Sequence, residues 1–128
     1  MQKNSERSDS IEIHQGLSNI SINVPTSKSH ANRMLVLASI SKNPVTIHNL
    51  PKSTDVQTML RCLQDIGLKL KISEESVDVL NSFPECEKGE DIVSLLTGDG
   101  GTTNRFLMPL LARGKKKYQM NMAEPMQV

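Results

Sequence analysis

One short pattern occurs twice and constrains any fold of this chain: Asn32-Arg33-x-Leu35 and Asn104-Arg105-x-Leu107. Each copy follows a loop of small or hydroxyl-bearing residues. The first is Pro25-Thr26-Ser27-Lys28-Ser29 and the second Gly98-Asp99-Gly100-Gly101-Thr102-Thr103. Each then runs on into a stretch containing Leu and Ala. A loop that feeds a helix start, used twice at one offset, is the mark of a duplicated unit. The chain is therefore expected to be α/β, with a first unit inside residues 11–96 and a second starting at 97–128.

Hydrophobic periodicity fills in the elements. Alternating apolar residues predict two short strands before the first joint, Ile11/Ile13 and Ile20/Ile22/Val24, on either side of His14 to Asn19, while residues 1–10 read as a frayed polar end. Pro25 closes the second strand because proline cannot donate to a ladder, and Ser27-Lys28-Ser29 offers N-cap chemistry to a helix over Ala31 to Ile40. Pro44 ends that helix and Val45-Thr46-Ile47 reads as a strand. Ser53-Thr54-Asp55 then caps a second helix, in which Val56, Met59, Leu60, Leu63 and Ile66 keep a 3.6-residue period and Gly67 falls in the left-handed position beyond the end. Leu68 to Ile72 and Val77 to Leu80 alternate about a polar tip, as a hairpin does.

The expected order is thus β-α-β-α-β-β. An acidic loop at Phe83 to Glu90 follows, then a strand or helical turn at Ile92 to Leu96. A further helix runs from Thr102 to near Gly114, with Pro109 kinking it or marking its first turns, and Lys116 to Met122 is a strand. Met34, Met59 and Met108 are expected in the core.

Composition matters here for what it excludes. Lys and Arg (15) nearly balance Asp and Glu (14), so no global field draws in nucleic acid or an anionic membrane. Aromatic residues make up 2% of the chain and leave little for bases to stack on. Cys62 and Cys86 have neither zinc-site spacing nor a disulfide framework around them. No cofactor and no metal are expected. The absence of a long apolar run or a leader-like start predicts a soluble, cytoplasmic protein.

Any anion site must then be local, and both joints are suited to one. A helix start presents unpaired N–H groups and about half a positive charge. The first joint adds the Lys28 ammonium, three hydroxyls and, one turn on, the Arg33 guanidinium, which together make a cradle for phosphate or carboxylate. The second joint removes Cβ atoms through three glycines, so that backbone N–H groups can approach a ligand. Taken singly, the first joint also reads as a serine N-cap beside solvated cations, and the second as a plain turn. The glycine loop is neither a P-loop nor a dinucleotide fingerprint.

Taken together, the joints carry a resemblance. Val24-Pro25-Thr26-Ser27-Lys28-Ser29-His30-Ala31-Asn32-Arg33 resembles the P-G-S-K-S-x-x-N-R segment of the enolpyruvylshikimate-phosphate (EPSP) synthase family. Gly98-Asp99-Gly100-Gly101-Thr102-Thr103-Asn104-Arg105 is similar to the family's G-N-A-G-T-x-x-R segment. Order and spacing agree, and Asn49-Leu50 with Ser53 to Leu60 is similar to the family's linker and second helix.

The resemblance implies an enolpyruvyl-transferase-type domain of repeated βαβαββ units and a transferase of aromatic amino-acid biosynthesis. That enzyme moves the enolpyruvyl group of phosphoenolpyruvate onto the 5-hydroxyl of shikimate 3-phosphate. It implies that Lys28 contacts both anionic substrates, and that Ser29 and Arg33 bind the shikimate phosphate. Gly101 would turn its backbone to phosphoenolpyruvate, its lack of a side chain bearing on glyphosate binding. It implies a monomeric parent.

Thr26 stands where the family has Gly, and Asp99 where it has Asn. Arg105 is left open between substrate electrostatics and structure. The proton-transferring groups of the family lie largely in a second domain, so no catalytic residue is assigned here. This chain alone is expected to be an inactive N-terminal fragment with uncovered sheet edges, prone to self-association. The sister family acting on UDP-N-acetylglucosamine and a non-catalytic phosphate-binding fragment stand as alternatives. The Ser-Lys-Ser-x-x-Asn-Arg form favours the shikimate branch, since the sister has a Lys-Asn pair in this loop.

Overall fold

The computed structural model describes residues 11–12, 21–88 and 91–122. The first described helix, α1, spans Lys28–Ser39. Its N-cap Ser27 accepts a hydrogen bond from the His30 amide at 3.2 Å, and Ala31 N donates to Ser27 O at 3.0 Å. Strand β1 (Val45–His48) leads into α2 (Thr54–Asp65), capped in the same way by Ser53, whose hydroxyl accepts from Val56 N at 3.4 Å. Hairpin strands β2 (Leu70–Ile72) and β3 (Ser76–Val79) follow, then β4 (Ile92–Leu96), α3 (Gly101–Leu111) and β5 (Lys117–Asn121).

The strands form two separate sheets. One is antiparallel in the order β1-β3-β2, with Val45 and Leu70 both opposite Val79 and with Ile47 and Ile72 both opposite Val77. Val77 and Val79 therefore lie on the central strand and are buried. The other sheet pairs β4 with β5 in parallel, Ile92 opposite Lys117 through Leu96 opposite Asn121, and α3 makes the crossover that parallel pairing demands. The three helices pack on one another, and Leu35, Val56, Met59, Leu63, Ile66, Leu95, Leu107 and Leu110 form the core between them and the strands.

Both caps, the second helix, the hairpin and the strand at β5 lie where periodicity places them, and the segment at Ile92 is a strand rather than a helical turn. Three expectations need correction. Residues 21–24 lie in no strand, and Ile22 and Val24 are 75% and 76% exposed. Alternation makes a strand only beside a partner, and no described strand pairs with this stretch. Among the described residues the leading strand of the expected order is therefore not seen, while Ile13, Ile20 and the 1–10 end fall outside the described residues. Pro109 sits in the last turn of α3 instead of its first turns. Met108 is 61% exposed and Met34 half-buried, which leaves Met59 as the fully buried methionine of the three.

Two contacts fasten the loops. Gly67 adopts φ +113°, and a Cβ on it would collide with the Cys86 carbonyl oxygen, so backbone from the 83–88 loop lies directly over the end of α2. The same loop is tied to β5 by Glu87, whose carboxylate accepts from Lys115 N at 2.9 Å, Lys116 N at 3.2 Å and the Tyr118 hydroxyl at 2.8 Å. Partial burial raises the Glu87 pKa, but these donors outweigh it and hold the group below the usual carboxylate range.

Gly67→Ala combines a disfavoured φ with a backbone clash, and is expected to cost roughly 2 kcal/mol or more in a denaturant melt. Glu87 contributes stability that is present above the ordinary carboxylate pKa and lost as pH falls through its lowered folded value. Melts between pH 5 and 2 on Glu87→Gln should accordingly show a shallower acid loss than the parent chain.

Candidate functional site

The three helices begin at one place. Lys28, the first residue of α1, sets its Nζ 3.2 Å from Oδ2 of Asp55, the second residue of α2. Thr103, in the first turn of α3, donates its hydroxyl to the Asp55 carbonyl at 3.2 Å and accepts from Asn32 Nδ2 of α1 at 3.3 Å. Gly100, the N-cap of α3, lies so close that a Cβ there would stand 2.8 Å from Asp55 Oδ1. The glycine bend is thus on the same side of the molecule as Lys28.

This convergence has an electrostatic consequence. Each helix start carries about half a positive charge. Serine hydroxyls satisfy one amide each at α1 and α2, whereas no side chain caps α3 and its first-turn amides have no side-chain acceptor. Asp55 is the one acidic residue in the first turn of any of the three helices. Set against Lys28 and three helix starts, the carboxylates of Asp55 and of Asp99 at the cavity rim still leave a small net pull on anions.

The repeated asparagines hold the frame together. Asn104 Nδ2 donates to the carbonyls of Gly98 at 3.2 Å and Gly100 at 2.9 Å, fixing the bend in which Gly98 adopts φ +68°. Asn32 is fully buried and bonds to Thr103. Leu35 and Leu107, the matching apolar positions, are both fully buried, and Arg33 and Arg105 are both exposed. Beside the bend, Thr54, Asp55, Thr58, Arg61 and residues 96–100 line a cavity of about 450 Å³.

Of the residues singled out by sequence, Lys28 and the glycine loop meet through Asp55. Ser29 is half-buried next to Lys28. Gly101 is exposed, and a Cβ on it would meet nothing within 4 Å, so open space lies before the α3 start. Arg33 is engaged elsewhere than at Asp55: its guanidinium carbon lies 5.8 Å from the centre of the Phe106 ring on α3. Asp99 is exposed at the cavity rim, and no Lys or Arg among the described residues forms an ion pair with it. Asp55 and Thr103 are the site residues that sequence reasoning passed over.

A family model described as EPSP synthase (3-phosphoshikimate 1-carboxyvinyltransferase) matches residues 14–123, which include both joints. The chain belongs to the EPSP synthase family. Its relatives include the 3-phosphoshikimate 1-carboxyvinyltransferase of Aliivibrio salmonicida, 34% identical over 99 residues, and that of Shewanella sp. (strain ANA-3), 32% identical over 100 residues. A chloroplastic enzyme of Nicotiana tabacum is 32% identical over 107 residues. These alignments take in 76%, 77% and 78% of this chain but 23%, 24% and 21% of the relatives, so the chain spans about a quarter of their length. In fold it is similar to the EPSP synthase of Acinetobacter baumannii, with a TM-score of 0.69 and 20% identity over 80% of this chain and 23% of that one.

The EPSP synthase motifs therefore fall on the starts of α1 and α3, with Asp55 of α2 between them. The two neighbouring glycines should respond differently to a methyl group. Gly101→Ala is expected to leave the melt unchanged, or raised by up to about 1 kcal/mol through helix propensity. Gly100→Ala should keep the chain folded but push the Asp55 carboxylate off Lys28. The displacement is readable as a shift of the Asp55 carboxyl carbon resonance, at a stability cost of no more than about 1 kcal/mol for an ion pair this exposed.

Proposed function

We propose that the meeting point of α1, α2 and α3 is one wall of the substrate site of an enolpyruvyl transferase acting on phosphoenolpyruvate and shikimate 3-phosphate. The observation that carries the reading is the contact of Lys28 and Gly100 with the same Asp55 carboxylate, which joins two family motifs distant in sequence into one anion-attracting patch. In the transfer, the 5-hydroxyl oxygen of shikimate 3-phosphate loses its proton and bonds to C2 of phosphoenolpyruvate, the bond from C2 to the phosphate oxygen breaks, and the proton is balanced on the released phosphate. Both substrates are anions, and the wall supplies positive potential fixed before they arrive.

Residue roles follow the motif positions. Lys28 reaches both substrates, Ser29 and Arg33 take the shikimate phosphate, and Gly101 offers its amide to phosphoenolpyruvate across the open space before it. Arg33 has to leave the Phe106 ring to do so. A cation–π contact at an exposed site is worth about 0.5–1 kcal/mol, and a hydrogen bond to a charged group about 1.5–3 kcal/mol, so the phosphate wins the guanidinium.

The described elements carry the α and β order expected for a βαβαββ unit without its leading strand, and we place the first unit within residues 11–96 and the start of a second at 97–128. The reaction needs no cofactor in this reading, and the protein acts in the cytoplasm on small anionic metabolites. No helix among the described residues is long and apolar enough to cross a membrane. This wall alone supplies charge and position for the two anions, and is not expected to provide both proton removal from the hydroxyl and proton delivery to the enol carbon at full rate.

Calorimetric titration of the 128-residue chain with shikimate 3-phosphate is expected to show saturable binding, weakened by about 1.5–3 kcal/mol in Lys28→Ala or Arg33→Ala. Binding indifferent to both substitutions would contradict the reading. A steady-state assay of the same chain should detect no turnover.

A further inference from the structure

Asp55 belongs to neither loop motif, yet its carboxylate occupies the centre of the patch. Oδ2 faces the Lys28 ammonium at 3.2 Å, and Oδ1 fills the space that the missing Gly100 side chain leaves. Its side chain is 22% exposed, against 61% for Lys28, so the acid is the enclosed member of the pair and the lysine the one open to solvent. The other charged groups near the patch do not compete for this position. Arg61 is hydrogen-bonded to the Leu96 carbonyl, and Asp99 is exposed at the cavity rim.

We propose that Asp55 is a resident counter-ion that Lys28 must leave when a ligand anion binds, and that it thereby sets the charge a ligand has to bring. The inference rests on the reading of Lys28 as an anion ligand. A singly charged anion exchanges one carboxylate-like partner for another. The electrostatic gain is close to nil, while the immobilisation of the ligand still costs free energy. A dianionic phosphate or sulfate offers Lys28 and the bare α3 amides twice the charge, and exceeds the pair it replaces. The carboxylate thus keeps the patch closed to small monoanions and open to phosphorylated ligands.

The test uses sodium sulfate and sodium formate, titrated into the 128-residue chain at constant ionic strength while the backbone amide resonances of Lys28 and Gly101 are followed. The parent chain is expected to bind sulfate saturably and to show no formate binding over the same range. In Asp55→Asn, sulfate affinity should rise about three- to tenfold and formate binding should become measurable, because the competing charge is gone while the shape is kept. Asp55→Ser, which suits a helix start, should repeat the gain. Asp55→Glu, which retains the charge, should not. A purely structural role could only lower affinity, so the gain is diagnostic. Sulfate affinity unchanged or reduced in both neutral variants, with binding weakened by Lys28→Ala, would overturn the counter-ion and leave the anion site standing. Absence of sulfate binding in the parent, or binding indifferent to Lys28→Ala, would overturn both.

Discussion

Three helix starts do not come together without opposition, because their partial positive charges repel and their first-turn amides all need acceptors. What holds them is a short buried relay from Asn32 of α1 through the Thr103 hydroxyl of α3 to the Asp55 carbonyl of α2. Each link pairs a polar group inside or at the edge of the core, where a group left unpaired costs about 1–3 kcal/mol. The apolar core brings the helices together, and the relay fixes which ends meet. Lys28, Asp55 and the glycine bend owe their proximity to it.

Much of the fold was legible because local chemistry determines it. Ser27 and Ser53 cap the helices that their position announces, and Gly67 takes the positive φ that ends α2. The polar tip between Ile72 and Val77 turns a hairpin in the register that alternation requires. Failures arose where the outcome depends on partners elsewhere. The Ile22/Val24 alternation has no described strand beside it. Met108 lies on the face of α3 that no described element covers, which its chemistry alone could not reveal. The same holds for Ile92 and Leu96, 60% and 48% exposed on one face of β4.

The candidate site was legible in part and for a specific reason. The duplicated Asn-Arg-x-Leu pattern pointed to two helix starts, and its Asn and Leu members are buried in both, although Asn32 bonds across to Thr103 of α3 while Asn104 bonds to Gly98 and Gly100 of its own bend. Asp55 was passed over because an Asp in the first turn of a helix is ordinary capping chemistry. Its contact with Lys28 exists only in three dimensions. The glycines divide in the same way: Gly100 lies against the Asp55 carboxylate, which a methyl group there would displace, whereas Gly101 faces open space and is free to serve a ligand.

The relay from Asn32 to Thr103 to Asp55 is tested most directly by a double-mutant cycle in denaturant melts with Asn32→Ala and Thr103→Val. Two groups joined in one buried polar network should show a coupling of about 0.5–3 kcal/mol, the double variant losing less than the single losses summed. Losses that add within error would mean that Asn32 and Thr103 act independently, and that the three helix starts are not locked together as described.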